Sequence, residues 1–227
     1  MRLTPVTRLG MVNAFLVEED GGLTLVDTAL PGSQKAILAA AGELGRPIVR
    51  ILLTHAHQDH IGSLDALAAR VPGAEVMISG RDAKLLAKDK SPESGEPSDA
   101  KLRGGYPGAK TRPARLLSAG ERVGSLEVIS APGHTPGHVA FLDTRDRTLI
   151  AGDAFSTLGG VATSARMNPR FPLPYLATWH PPTALETARA LRALDPARLA
   201  VGHGKTVDAP GSAMDRAIAR AEAGQPN

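Results

Sequence analysis

The sequence predicts a layered α/β fold, and three observations carry that expectation. Short apolar runs of strand length fall in two groups, each followed by stretches with helical spacing, which suits α/β layers and not an all-β barrel. The 24 glycines and 18 prolines spread turns along the whole chain, which excludes one long helical bundle. Aromatic residues are only 3% of the chain against 42% hydrophobic residues, so the core must be built from Leu, Val, Ile and Ala. At 227 residues, the chain 1–227 is expected to form a single domain.

In chain order, residues 11–17 and 23–26 are apolar runs around Glu18-Glu19-Asp20-Gly21-Gly22, which reads as a hairpin. Pro31-Gly32-Ser33 opens an Ala/Leu-rich helix to Leu44 with Ser33 near its cap, and Gly45-Arg46-Pro47 ends it. Residues 48–54 form a buried strand that runs into a cluster of histidines. Ile61, Leu64, Leu67 and Ala68 have helical spacing and predict a helix over 61–71. A strand at 75–79 and a short helix at 81–88 follow. Residues 88–112 are polar and broken by Pro and Gly, a length that marks either a solvated insertion or a lid. Strands are expected at 114–117, 126–130, 139–143 and 148–151. Residues 155–182 are again irregular and proline-rich; a helix over 183–194, a strand at 199–201 and a helix over 212–223 complete the chain.

Composition narrows the function. A net charge of +3 with no dense Lys/Arg run gives no nucleic-acid footprint. The absence of cysteine excludes disulfides, Cys nucleophiles and Cys-based zinc sites, so a metal site must draw on His and carboxylates. The longest apolar run near the start, Ala14-Phe15-Leu16-Val17, is too short for a signal peptide or a membrane span, so a cytoplasmic protein without a membrane partner is expected.

Of seven histidines, three fall in the run His55-Ala56-His57-Gln58-Asp59-His60. Buried imidazoles are costly unless satisfied, and exposed ones have no reason to cluster. In extended backbone, residues two apart share a side, so His55 and His57 can share one metal. Asp59 and His60 fall where the chain turns into the next helix and can reach a second. Other candidates stand at the ends of apolar strands: Asp27 after 23–26, His134 after 128–133, Asp153 after 149–152 and His203 after 199–202. Groups at strand ends converge on one sheet edge, where α/β sites form.

Together, His55-x-His57-x-Asp59-His60, Gly133-His134-Thr135-Pro136-Gly137-His138, Gly152-Asp153 and Gly202-His203-Gly204 resemble the metallo-β-lactamase superfamily, from Asp27 to His203 and in the expected order. The resemblance implies a four-layer αββα sandwich. It implies that His55, His57 and His134 hold a first metal, that Asp59, His60 and His203 hold a second, and that Asp153 bridges them. The donor set suits two divalent ions, zinc foremost, with manganese or iron as alternatives. Asp27 matches an acid that orients a ligand imidazole; a turn-forming Asp is the other reading. His138 is read as structural or as a support for a ligand, and His180 as a cap, a surface residue or a substrate contact, the first two favoured.

The implied chemistry is hydrolysis by metal-activated hydroxide, with Asp59 accepting and returning the proton. The carboxylate at Asp153 stands where zinc β-lactamases typically have a cysteine or another arrangement, which argues against β-lactams. The motifs are closer to glyoxalase II-like thioesterases and lactonases, so a small-molecule lactone or thioester is expected. Only 24 residues follow His203, so the helical region that binds glutathione in glyoxalase II is expected to be missing or reduced. The residue two after Asp153 is Phe155, and a phenol to assist a carbonyl would come from Tyr106 or Tyr175; these three are the expected substrate contacts. A mononuclear-iron persulfide dioxygenase is the alternative, and a catalytically inactive metal-binding relative the third, against which the complete ligand set argues.

Overall fold

The computed structural model describes residues 3–224. They divide into two compact units, one running to Asp89 and taking up Tyr106–Leu117, the other made of Lys90–Gly105 and the chain from Ser118 on.

The first unit has a six-stranded sheet whose strands lie in chain order: β1 (Leu3–Arg8), β2 (Val12–Glu19), β3 (Gly22–Val26), β4 (Ile48–Leu52), β5 (Glu75–Ser79) and β6 (Arg115–Leu117). Strands β1 to β3 form an antiparallel meander, and β3 to β6 run parallel. Parallel neighbours need long crossovers. Here these carry α1 (Gln34–Glu43), then α2 (Gln58–Ile61) and α3 (Leu64–Ala68), then α4 (Gly80–Leu86). Every residue of β3 is buried, as expected of a strand with apolar cover on both faces. Because β3 and β4 are parallel, their ends come together: Val26 lies opposite Leu52, and the Asp27 N–H donates to the Leu52 carbonyl at 2.8 Å.

The second unit has its own six-stranded sheet, built from β7 (Arg122–Val123), β8 (Leu126–Ser130), β9 (Val139–Asp143), β10 (Thr148–Ile150), β13 (Arg198–Ala200) and β14 (Val207–Asp208). Its order is β14-β13-β10-β9-β8-β7, with β10 and β13 parallel and the other pairs antiparallel. A two-stranded hairpin, β11 (Phe155–Ser156) with β12 (Ala162–Thr163), and three helices, α5 (Leu173–Leu176), α6 (Pro181–Ala193) and α7 (Gly211–Glu222), complete it. The core of this unit packs Leu149, Phe155 and Leu199 against Leu185, Ala188 and Leu191 of α6 and Met214, Ala217 and Ile218 of α7. The three- and four-residue spacing of those helical positions gives each helix one apolar face.

The α/β class and most elements match the expectation. The two-residue strands β7 and β14 lie outside the expected elements, and four further details differ. Strand β1 was not anticipated; only Leu3 and Val6 of it are buried, so it carries a weak apolar signal. The helix expected over 61–71 is two short ones. Gly62 and Ser63 separate them: the backbone leaves the helix at Ser63, with φ −106° and ψ 8°, and Gly62 admits the Pro31 ring, where a Cβ would lie 2.4 Å away. Ser33 stands at the N-cap of α1 but makes no side-chain cap bond; instead its N–H donates to Ser63 Oγ. The irregular stretch 155–182 contains β11, β12 and α5. Residues 88–112 carry no helix or strand, yet they are tied down. Lys101 N–H donates to the Trp179 carbonyl within the second unit, and Thr111 N–H and Oγ1–H both donate to Asp65 within the first.

Candidate metal centre

In the first unit, the histidine run leaves the end of β4 in extended backbone and enters α2. His57 is the residue before that helix, with ψ at 151°, and Asp59 and His60 lie in its single turn. The donor atoms of His55 and His57, of His55 and His60, and of Asp59 and His60 fall within 4.8 Å of one another. His55 and His60 are fully buried, His57 nearly so, and Asp59 half-buried.

The hydrogen bonds beneath these side chains set their protonation. The Asp27 carboxylate accepts the Thr54 N–H and the Thr54 hydroxyl, both at 2.8 Å, and lies 2.8 Å from His60 Nδ1. A carboxylate only accepts, so His60 carries its proton on Nδ1 and turns the Nε2 lone pair to the centre. Thr54 has spent its one hydroxyl proton on Asp27. Its contact with His55 Nδ1 at 3.0 Å is therefore a bond from Nδ1–H to the hydroxyl oxygen, and His55 also presents Nε2. Asp27 reaches these partners from a backbone φ of 60°, a left-handed conformation that Asp tolerates better than most residues and that is common at functional positions. Two more contacts hold the run. Buried Asp82 of α4 accepts the Ala56 N–H at 2.8 Å, and Thr28 donates to the His60 carbonyl through both its N–H and its hydroxyl.

In the second unit, three separate strand ends supply the candidates. Gly202 N–H donates to the Gly152 carbonyl, so the parallel strands β10 and β13 deliver Asp153 and His203 side by side. His203 Nε2 lies 3.1 Å from Asp153 Oδ2, and His134 Nε2 lies 3.4 Å from the same oxygen. His134 follows β8 and a turn at Gly133, whose φ is +131°; a Cβ there would lie 2.4 Å from the backbone of Ala184 in α6. The one proton of the Thr178 hydroxyl faces two carbonyls, Pro174 at 2.7 Å and Ser164 at 3.1 Å, so the hydroxyl accepts from His134 Nδ1–H at 3.1 Å, leaving His134 Nε2 with its lone pair. His138 Nε2 accepts the Asp153 N–H at 3.1 Å, which places this histidine behind the acid.

The donors fit a divalent cation. Each half offers only imidazole nitrogen and carboxylate oxygen, nearly all buried, with the ring protons of His55, His60 and His134 committed to outer partners.

The other expected residues are placed as follows. Tyr106 is buried in the first unit, its ring 4.6 Å from that of His57. Burial, with a smaller contribution from the Asp82 charge, pushes its phenol far above the usual range, so it stays protonated. Tyr175 is half-buried in α5. Phe155 has no exposed surface and packs in the core of the second unit. His180 caps α6, accepting the Thr183 N–H. Sequence reasoning missed Thr54, Asp82 and Thr178. Thr54 adjoins His55 and could have been found; the others become visible only through the fold.

The family model described as metallo-beta-lactamase superfamily matches residues 7–203. The chain belongs to this superfamily. Its fold is accordingly the metallo-β-lactamase fold predicted from the motifs. Among superfamily relatives, Uncharacterized protein YobT of Bacillus subtilis (strain 168) is 50% identical over 224 residues, covering 98% of this chain and 96% of that protein. Hydroxyacylglutathione hydrolase of Stenotrophomonas maltophilia (strain R551-3) is 34% identical over 164 residues, covering 70% of this chain but only 52% of that protein. The chain thus spans about half the length of that hydrolase. Among solved structures, TTHA1623 in a di-iron-bound form matches with a TM-score of 0.67 and 26% identity, covering 92% of this chain and 96% of that one. Membership makes this a chain of a metallo-hydrolase superfamily with candidate metal-binding groups of His and Asp. No helix of the described residues is long and apolar enough to cross a membrane.

Proposed function

We propose that this protein is a dinuclear metallo-hydrolase that cleaves a small ester-type bond, a lactone or a thioester. The observation that carries the reading is the position of Asp153. One carboxylate oxygen lies within 3.4 Å of both His134 Nε2 and His203 Nε2, the two imidazoles that the family motifs assign to different metals. A bridging carboxylate needs that placement. His55, His57 and His134 would hold one ion, and Asp59, His60 and His203 the other. Zinc is the first choice; the di-iron form of TTHA1623 keeps iron in view.

When bound, two such ions supply Lewis-acid polarisation of the substrate oxygen and a water acidified toward a pKa of about 7. The chain does the rest. Asp59, half-buried in the first turn of α2, takes the proton that the attacking water loses and returns it to the leaving oxygen or sulfur. The Asp27–Thr54 pair and Thr178 keep the imidazoles turned inward, so no reorientation is needed when substrate arrives. Tyr106, held protonated beside His57, serves as a hydrogen-bond donor and never as a base. Phe155 has no free face for a substrate and is left as packing.

One relative is named for hydrolysis of an acylglutathione, which favours acyl transfer to water over phosphoryl chemistry. The test is steady-state turnover of metal-loaded protein on aryl esters, γ- and δ-lactones and acyl thioesters, with His57→Ala alongside. Turnover of at least one class, abolished in the variant, is expected. No turnover on any, or an unchanged variant, would overturn the proposal.

A further inference from the structure

The second unit carries a feature that neither the metal ligands nor their supports use. A cavity of about 620 Å³ opens between the loop 159–170 and one face of α7. Its lining includes four arginines, Arg166 and Arg170 from the loop and Arg216 and Arg220 from the helix, and no acidic side chain. Arg216 and Arg220 sit four residues apart with Ala213 and Ala217, so they share one face of α7.

The charges here are segregated. Helix α7 has two carboxylates next to these arginines in sequence, Asp215 and Glu222, and both serve α6: Asp215 pairs with Arg192, and Glu222 with Arg189. Three of the four cavity arginines donate to carbonyl oxygens. Arg166 donates to the Arg220 carbonyl, Arg220 to the Val161 carbonyl at 2.6 Å, and Arg170 to the Gly159 carbonyl at 3.5 Å. A carbonyl fixes a guanidinium in place without cancelling its charge. Four cations on one concave wall repel one another, and a helix pair of like charge at this spacing costs stability. An anionic ligand removes that cost. Guanidinium forks match the paired oxygens of phosphate and carboxylate groups, and the helix begins at Gly211, so its N–H end adds to the positive potential near Ala213.

We infer that this arginine-walled cavity is a binding site for a small polyanion carrying at least two phosphate or carboxylate groups. The volume lies within the range of metabolite-sized pockets and exceeds what one phosphate needs. None of the lining residues is a proposed metal ligand, so the site stands or falls independently of the hydrolytic reading.

The test is isothermal titration of the purified, metal-loaded protein with inorganic pyrophosphate and, separately, with propane-1,2,3-tricarboxylate, at low and high salt. One site per chain is expected for at least one probe, weakening as salt rises. Arg216→Ala should weaken it about tenfold or more, and Arg216→Lys less, because a guanidinium-to-oxyanion contact is lost in the first and only its fork in the second. Circular dichroism and thermal melting guard against a folding artefact. Preference for pyrophosphate assigns a phosphate ligand, and preference for the tricarboxylate assigns a carboxylate one. No binding of either probe at 10-millimolar order (roughly the weakest useful affinity on a free-energy scale), or binding indifferent to Arg216→Ala, overturns the inference. Anions caught at the metal centre would be indifferent in that way. Retention on heparin with no small-anion binding would also overturn it in favour of a macromolecular partner.

Discussion

The two units solve the same problem in different ways. The first presents four candidate ligands from one run of six residues, bent from the end of β4 into α2 and held from below by Asp27, Thr54 and Asp82. The second collects three candidates from the ends of β8, β10 and β13, and depends on positive-φ turns at Gly133 and Gly152 and on the Gly202 N–H bond to the Gly152 carbonyl to bring them together. The first half is therefore local and braced by shared hydrogen bonds. The second is assembled by tertiary structure. Damage should follow that division: in the first unit one support disturbs two ligands, whereas in the second each support disturbs one.

The largest effect is expected at Asp153, the residue facing both imidazoles of its unit. Asp153→Ala should bring hydrolysis to background and lower bound metal to no more than one ion per chain, read by kinetics and elemental analysis. Next comes Gly133→Ala. The new Cβ meets the Ala184 backbone at 2.4 Å in a backbone conformation that L-residues avoid, so unfolding free energy should fall by about 3 kcal/mol, measured by urea denaturation. Asp27→Asn and Thr54→Val should each weaken metal binding by about 10–100-fold in chelator competition, because each unsettles both His55 and His60. Thr178→Val, which touches His134 alone, should cost about tenfold. Equal losses for the two threonines would show that the supports of the two units do not differ in this way.

The smallest effect is the pH dependence carried by one carboxylate of each unit, Asp65 and Asp143. Asp65 and Asp143 are raised by burial, but hydrogen bonds outweigh it: Thr111 and the backbone N–H groups of Lys110 and Thr111 on Asp65, Arg145 on Asp143. Both are held below the ordinary carboxylate value. A depressed carboxylate stabilises the fold fully above about pH 4, its unfolded value, and loses that contribution as pH falls through the folded value. Asp65 is solvent-exposed, so screening holds its contribution to at most about 1 kcal/mol; Asp143, buried at the end of the interior strand β9, acts in the same direction. Melting curves at pH 7 and pH 3 should show the loss, reduced in Asp65→Asn and Asp143→Asn.

The same division explains what the sequence could reveal. His55 to His60 are legible because their chemistry and spacing lie within one segment. His134, Asp153 and His203 are legible only because each ends an apolar strand, a positional signal that α/β topology converts into convergence. Thr178 and Asp82 were not legible. A threonine after a short helix and an aspartate in a helix look like ordinary surface or capping residues until the fold sets them against His134 and Ala56. The split of the expected helix at 61–71 has a similar cause. The apolar spacing is sound, but Gly62 yields to the approach of Pro31, which lies far away in sequence. The closeness of Phe155 to Asp153 in sequence points to the site, while its apolar side chain lies in the core of the second unit.

The proposed dinuclear reading rests on Asp153. The most direct measurement is metal stoichiometry of the wild-type protein after equilibrium dialysis against zinc, manganese and iron, beside Asp153→Ala under the same conditions. Two divalent ions per wild-type chain and no more than one in the variant are expected. A single iron per wild-type chain, with oxygen uptake dependent on a persulfide, would contradict that reading.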